Sequence, residues 1–176
     1  TNKRVNSASD DPLAFSRIAI TKTSISATAV KLDTLELGMM RLDARDQTLD
    51  AFQDALMRFQ ELATMASTGI HQLKDVLPEM EALEEALLSL ANTKDASGRM
   101  FAGTANTTPF VRDPVTSEVV YAGNSDAHTI DVEGVKINGS VSGEPLMEAF
   151  NAVRDVLAAV RGGTPPSGDL VQGVAD

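Results

Sequence analysis

Apolar residues recur every three or four positions along the first third of the chain, between Pro12 and Ser67. The spacing forms two runs, with a register shift near residues 46–53. The first run comprises Ile25, Leu32, Leu35, Met39 and Leu42, and the second comprises Leu49, Phe52, Leu56, Phe59, Ala63 and Ala66. This period is typical of a helix with one buried seam, whereas a half-buried strand requires a period of two. The pattern therefore predicts a helical rod roughly 80 Å long.

Short polar signals mark the two ends of this rod. Pro12 is compatible with a first helical turn, where its missing N–H leaves no partner unsatisfied, and Asp11 is placed to be the N-cap. Thr68-Gly69 is typical of a helix C-terminus. The sequence leaves open a break at Gly38 that would divide the rod into two shorter helices.

A second helix is predicted after the turn, with Pro78 and Glu79 in its first turn. Its apolar face comprises Val76, Leu77, Met80, Leu83, Leu87 and Leu90. Because the connection is short, we expect the two helices to run antiparallel. Four glutamates, Glu79, Glu81, Glu84 and Glu85, are expected to form its solvent-exposed face.

Residues 97–143 have a different composition, rich in Gly, Asn, Thr and Pro. Alternating runs at 118–121, 129–133 and 135–137 predict a small β region of three to five short strands. A further helix is predicted from Glu144-Pro145 to Gly162-Gly163. Its apolar positions are Met147, Phe150, Val153, Leu157 and Val160, and the tail, residues 164–176, is expected to be loop.

These elements predict a mainly α chain of the α+β type. We expect an elongated antiparallel helical rod with a small β-rich insertion. Residues 1–97 would form the N-terminal part of the rod, 98–143 the small β-rich domain, and 144–176 the returning helix and tail.

The composition and net charge of the chain exclude or disfavour several functional classes. The chain has no Cys, which excludes a disulfide scaffold, a zinc–thiolate site and a cysteine nucleophile. Its net charge of −10 is a poor basis for binding nucleic acid or an anionic membrane, because such binding requires basic patches. No apolar run approaches the length of a membrane span, and we recognise no basic-then-apolar signal-peptide pattern in the given sequence.

No residue pattern in the sequence indicates reaction chemistry. The two histidines, His71 and His128, lack metal-ligand spacing and are interpreted as surface residues. Asp10 and Asp11 could form a carboxylate pair, but helix capping accounts for them more simply. We therefore predict no catalytic, cofactor-binding or metal site, and no enzyme activity.

The segment Arg4-Val5-Asn6-Ser7-Ala8-Ser9-Asp10-Asp11-Pro12, followed by an Ala/Ile-rich helix, resembles the start of the rod domain in bacterial flagellins and their relatives. The order of long helix, turn and second helix ending at Asn92-Thr93 is similar to that superfamily. The resemblance covers nearly all of positions 4–161.

Two further motifs resemble its hook–filament junction branch, the hook-associated proteins. The first is the segment with Arg99, Phe101 and Gly103, followed by Pro109-Phe110. The second runs from Tyr121-x-Gly123 through Ile130-x-Val132-x-Gly134 to Phe150. Met100 stands where that branch has Tyr or Leu.

The resemblance implies a structural subunit of the bacterial flagellum that joins hook to filament. Implied partners are identical copies in a ring, flagellin, the other hook-associated junction protein and an export chaperone. The implied location is extracellular, after export without a cleaved signal peptide. Asn6, Ser7, Asp10 and Asp11 are the candidate subunit-contact residues; the alternative is that they only cap the helix.

The resemblance also leads us to expect a core fragment of a longer protein, because relatives have a helical segment before Arg4 and a long helix after the tail. Two alternatives to the junction role stay open at this point. One is a filament flagellin of the same superfamily, and the other is a coiled-coil adaptor unrelated to flagella.

Overall fold

The computed structural model describes residues 11–69, 72–95, 98–126, 129–132, 135–138 and 140–174. The helices in these residues are α1 (Pro12–Ser67), α2 (Leu73–Ala91), α3 (Leu146–Arg161) and α4 (Gly168–Gln172). The strands are β1 (Lys94–Asp95), β2 (Gly98–Arg99), β3 (Phe110–Arg112), β4 (Val119–Tyr121), β5 (Thr129–Val132) and β6 (Val135–Asn138).

Helix α1 is continuous through its 56 residues, so the possible break at Gly38 does not occur. At 1.5 Å per residue the helix is about 84 Å long. The Asp11 carboxylate accepts the backbone N–H of Ala14 at 2.9 Å, and Pro12 opens the first turn, as predicted. The helix ends at Ser67, and Gly69 follows with φ of 68°, a left-handed conformation that favours glycine.

Helix α2 returns along the C-terminal half of α1, as the short connection predicts. It begins at Leu73, earlier than expected, so the placement of Pro78 in the first turn was wrong: Pro78 lies inside the helix. Because proline has no backbone N–H, one helical hydrogen bond is missing at Pro78. The apolar face is as predicted, since Val76, Met80 and Leu87 are buried.

The strands form three separate two-stranded antiparallel sheets, β1–β2, β3–β4 and β5–β6. The last two predicted strands pair with each other, Ile130 opposite Ile137. Strand β3, which pairs with β4 through Val111 opposite Val120, was not predicted. Strands β1 and β2 were also missed, because two residues each are too few to show an alternating pattern.

Helix α3 has the predicted position and stops at Gly162. The prediction that residues 164–176 are all loop was wrong, because α4 lies within them. The Ser167 hydroxyl caps α4 by accepting the Leu170 N–H at 3.4 Å. Helix α4 packs against α1 and α3, and Val171 and Val174 are buried there.

The hydrophobic core lies between α2, α3 and the C-terminal half of α1, and the β3–β4 hairpin adds Phe110 to it. Its largest fully buried side chains are Phe59, Phe110, Met80, Leu87, Leu157, Val153, Val156 and Pro109. The N-terminal half of α1 extends beyond this core. The fold is therefore a mainly helical, elongated structure with small antiparallel sheets, as the sequence predicted.

Candidate functional site: a subunit-contact surface

The candidate contact segment begins where α1 begins. Asp11 is exposed and caps α1 through its carboxylate. Asn6, Ser7 and Asp10 lie outside the described residues, so their contact role stays a prediction. The cap fixes the start of α1 at Pro12.

The motif residues around Arg99 fasten the β-rich region to the end of α2. The Asn92 side chain donates to the Phe110 carbonyl at 2.8 Å and accepts the Phe110 N–H at 3.0 Å. The Arg99 guanidinium donates to the Asn92 carbonyl and, at 3.0 Å, to the Thr108 hydroxyl. These paired side-chain bonds satisfy both backbone groups of Phe110 and tie β3 to the end of α2.

Gly103 has a steric role. Its φ is 64°, and a Cβ at this position would overlap Asn124. Asn124 accepts the Thr104 N–H and donates to the Thr104 hydroxyl, each at 2.8 Å. A side chain at position 103 would force these groups apart, which favours glycine here in this chain.

The Tyr121 hydroxyl links three loop segments. It lies 3.0 Å from the carbonyls of both Phe101 and Asn124, to which it can donate, and it accepts the Gly143 N–H at 3.1 Å. The sequence placed Tyr121 on a strand but gave no reason to assign it this central position.

Aromatic rings connect the β-rich region with the rod. Phe110 packs on Tyr121 and Phe150, with ring centroids 5.3 and 5.2 Å apart, and Phe150 contacts Phe52 of α1 at 5.8 Å. Phe101 and Pro109 are buried beside them. The motif residues therefore come together as a packing unit, and none of them forms an exposed contact patch.

Glu84 contradicts the prediction of a solvent-exposed glutamate face. It is 7% exposed and lies between Arg112 at 3.2 Å and Arg161 at 3.7 Å. The hydrogen bond to Glu84 is the main cause that raises the pKa of Arg112 above its ordinary value. Glu84 continues the seam spacing of Val76 and Met80, and a charge on a seam is the signal that sequence reasoning missed.

The other three glutamates of α2 also pair with arginines, but at the surface. Glu79 contacts Arg58 at 2.6 Å and Glu81 contacts Arg161 at 2.9 Å. Glu85 contacts Arg112 at 2.6 Å. These pairs are partly exposed, so each contributes little to stability compared with the bond at Glu84.

Most of the exposed large apolar side chains among the described residues lie on the N-terminal half of α1. They include Leu13, Phe15, Ile18, Ile20, Ile25, Val30, Leu32, Leu37, Met39 and Met40. Ile18, Ile25, Leu32 and Met39 recur every seven residues and so share one side of the helix, a pattern typical of an interaction surface. In the predicted first seam, Ile25, Leu32, Met39 and Leu42 are exposed, and Leu35 is half-buried.

Reaction chemistry is not apparent in the described part of the chain. No group of three or more His, Asp or Glu side chains there is arranged to hold a metal ion. None of the helices described is both long enough and apolar enough to cross a membrane. His71 and His128 lie outside the described residues.

A long antiparallel helical pair, with small hairpins fastened to its end and an uncovered apolar rod, defines an elongated structural subunit. The chain belongs to the family of the bacterial flagellin N-terminal helical region, whose model matches residues 1–106. The resemblance identified in the sequence is thereby confirmed. Members of this family are structural proteins of the flagellum.

Individual relatives point to one branch of that superfamily. Flagellar hook-associated protein 3 of Escherichia coli is 30% identical over 115 residues, which cover 62% of this chain. The match covers 36% of that relative, so the chain spans about a third of its length.

Two solved structures share the fold. One, assigned to a flagellar hook-associated protein of Vibrio parahaemolyticus, has a TM-score of 0.79 and 19% identity, covering 96% of this chain and 79% of that one. Bacillus cereus FlgL has a TM-score of 0.73 and 19% identity, covering 89% of this chain and 82% of that one. At this identity the likeness concerns the fold alone.

Proposed function

We propose that the chain is part of a structural subunit that joins the flagellar hook to the filament. The observation that carries this proposal is the 30% identity to a flagellar hook-associated protein 3 over 115 residues. The packing of Arg99, Phe101, Gly103, Pro109 and Phe110 supports it, because the motif that resembles the junction branch forms one ordered unit on the rod.

The partners in this proposal are other flagellar proteins. Identical copies would form a ring at the distal end of the hook, between the other hook-associated junction protein and the first flagellin subunits. An export chaperone would accompany the chain before assembly, and the assembled location would be extracellular. The net charge of −10 gives no support to a nucleic-acid or membrane partner.

In this proposal, packing between neighbouring subunits stabilises the junction. The uncovered apolar residues of α1 supply area for burial against neighbours, at roughly 25 cal/mol per Å². We propose that Asn6, Ser7, Asp10 and Asp11 add polar contacts next to this surface. In the same proposal, residues 98–143 act as the small β-rich domain, and residues 1–97 and 144–176 belong to the rod. No enzymatic step is part of this function.

Deletion of the gene that encodes the chain tests the proposal. Because flagellin would have no surface on the hook on which to assemble, we expect intact hooks without filaments and flagellin released into the medium. Electron microscopy and the protein content of the medium measure the two effects. Complementation with the full-length parent protein is the control and should restore filaments.

The main alternative is a filament flagellin, which membership of the flagellin family makes a specific competitor. Loss of a filament flagellin would leave the junction in place and remove the filament protein from the medium. A coiled-coil adaptor unrelated to flagella would leave hooks, filaments and swimming unchanged. Either result would refute the junction role.

A further inference from the structure

The buried side of α1 extends beyond the hydrophobic core, toward the N-terminus of the helix. Gly38, Arg45, Phe52, Phe59 and Ala66 are buried and recur every seven residues. Seven residues make about two helical turns, so these positions share one side of α1. The last three pack in the hydrophobic core, whereas Gly38 lies about 21 Å before Phe52 along the helix. The burial of Gly38 therefore requires cover from outside the core.

Contacts with the β-rich region continue along this side of α1. The Thr48 hydroxyl donates to the Met100 sulfur at 3.7 Å, and Met100 is buried. The Arg41 guanidinium lies 3.9 Å from the Asp95 carboxylate, and both side chains are 15% exposed. Arg41 and Thr48 are four residues before and three residues after Arg45, so they lie on the same side of the helix. The β-rich region thus follows α1 from the core toward Gly38.

Strand β5 and helix α4 both contact α1, and of these two only β5 is placed to reach Gly38. Helix α4 follows Arg161, which contacts Glu81 of α2 at 2.9 Å. Glu79, on the same helix as Glu81, contacts Arg58 of α1 at 2.6 Å. These contacts place α4 beside the C-terminal half of α1, and Arg58 is itself about 30 Å from Gly38 along the helix.

The burial of α1 also shows where the covered side ends. Thr34 and Lys31, four and seven residues before Gly38, are half-buried, whereas Asp33 and Leu37 are exposed. Residues 15–30 are exposed throughout. The covered residues 31–38 span about 10 Å of helix, which is close to the width of two paired strands. The cover beyond the core therefore has the size of one two-stranded hairpin.

We propose that the β5–β6 hairpin lies across α1 at Gly38 as a strap, and that residue 38 is glycine because the hairpin occupies the space of a side chain. Helix α1 is continuous here, so Gly38 neither breaks nor ends it. Glycine inside a helix ordinarily costs stability relative to alanine. Close packing of the strap against the helix backbone offsets this cost.

The strap gives the β-rich region a second attachment to the rod. The aromatic contacts at Phe52 form the first attachment, about 21 Å from Gly38 along α1. Two separate attachments fix the orientation of the region on the helix, whereas a single one would act as a pivot. In a ring of identical copies this would give every β-rich region the same orientation, a consequence that rests on the proposed function.

Hydrogen exchange of the full chain tests the strap by adding a side chain beneath it. In Gly38→Leu, amides of β5 and β6 should exchange about tenfold faster, because the displaced hairpin opens more often. Gly38→Ala should change the rates in the same direction but less, since a methyl group needs less space. Mass spectrometry of peptides that cover residues 129–138 measures the rates.

Ala29→Leu is the matched control, because it adds bulk at an exposed position of the same helix and should leave β5–β6 exchange unchanged. Unchanged exchange of residues 52–66 shows that the core is intact, and Gly38→Ala decides the test if Gly38→Leu disturbs that core. Equal β5–β6 exchange with and without the substitution at Gly38 would overturn the proposal. An unprotected β5–β6 hairpin in the unaltered chain would overturn it too.

Pulsed electron paramagnetic resonance tests the orientation. Because the chain has no native Cys, spin labels can be attached to Glu61→Cys on α1 and Ser125→Cys, both exposed positions. We expect a single narrow distance distribution, which Gly38→Leu broadens about twofold and Ala29→Leu does not. A distribution that Gly38→Leu leaves unchanged would refute the orienting role.

The outcomes separate this inference from the proposed function. Faster β5–β6 exchange in the Gly38 variants would support the strap even if the deletion strain made normal filaments, a result that refutes only the junction role. Unchanged exchange would refute the strap, and hooks without filaments in the deletion strain would still support the junction role.

Discussion

Glu84 is a buried charged residue, whereas its neighbour Glu85 on α2 is exposed. It shares Arg112 with Glu85, but Glu84 is 9% exposed at its side chain and Glu85 is 64% exposed. A buried carboxylate requires its partners, since the cost of removing it from water is otherwise not compensated. An exposed one exchanges partner for solvent at little cost.

Glu84→Gln should therefore lower the free energy of unfolding by about 1–3 kcal/mol, because it leaves Arg112 and Arg161 without their shared anion. Glu85→Gln is the matched control and should cost less than about 1 kcal/mol. Urea unfolding followed by circular dichroism measures both. Equal effects of the two substitutions would contradict the different roles assigned to them.

Gly103 and Gly163 allow the cost of a left-handed backbone to be measured separately from the cost of steric overlap. Both have positive φ, 64° and 72°, but a Cβ at Gly163 would meet no atom within 4 Å. Gly163→Ala should cost about 1 kcal/mol for the left-handed backbone alone. Gly103→Ala should cost about 2–4 kcal/mol, because overlap with Asn124 is added. Thermal unfolding of both variants measures the two losses of stability. A larger loss for Gly163→Ala than for Gly103→Ala would contradict the prediction.

Asp113 makes the β3–β4 turn sensitive to acid. Its carboxylate accepts the N–H groups of Thr116 at 2.9 Å and Val115 at 2.8 Å, and these bonds lower its pKa below 3.8. The pKa of Asp113 is lower in the folded chain than in the unfolded chain. The stability that the ionised carboxylate contributes is therefore complete above about pH 4, and it is lost as the pH falls through the folded pKa.

Asp113→Asn retains an acceptor oxygen but removes the titration, so we expect the turn of this variant to lose less stability between about pH 5 and pH 3. Hydrogen exchange of the Val115 and Thr116 amides across this range is the measurement. Asp50→Asn, an exposed residue on α1, controls for the loss of one negative charge. The prediction is wrong if both variants follow the unaltered chain.

At the scale of elements, α1 is one helix with two different environments. Its C-terminal half buries Phe52, Phe59 and Leu62 against the core, whereas residues 15–30 are exposed throughout. Helical propensity alone sustains long isolated helices poorly, since most helical stability comes from packing of the apolar side. The two halves should therefore differ in local stability.

Hydrogen exchange of the monomeric chain should show this difference directly. We expect amides of residues 16–30 to exchange about 100-fold or more faster than those of residues 52–66, because only the latter need the core to open. Mass spectrometry of peptides from the two halves measures the rates. Equal protection in dilute monomer would contradict the independent behaviour of the N-terminal half.

Sequence reasoning succeeded for elements defined by local contacts. Asp11, Pro12 and Gly69 act within one turn of the helix end, so their roles were readable from neighbouring residues. Helix α4 was missed because it is five residues long and owes its order to packing on α1 and α3. The strands of two residues were missed for the same reason, since pairing defines them.

For the whole molecule, the length of α1 sets the outer dimension. A compact chain of 176 residues would have a radius of gyration near ~16 Å, whereas a 56-residue helix is about 84 Å long. Small-angle X-ray scattering of the monomer should give a radius of gyration above about 20 Å and a maximum dimension of at least about 80 Å. A radius near ~16 Å would show that α1 bends back on the core.

Local sequence patterns were sufficient to predict the three longer helices and the family. Apolar periodicity, helix caps and the motif residues are local properties, and they predicted the mainly helical rod, its β-rich insertion and the flagellin resemblance that the family match confirms. Which side of each element is covered depends on long-range packing. Glu84 meets Arg112 and Arg161, Tyr121 joins three loops, and Ile25 and Leu32 stay exposed. These outcomes depend on residues far apart in the chain, and periodicity specifies a face without specifying its partner.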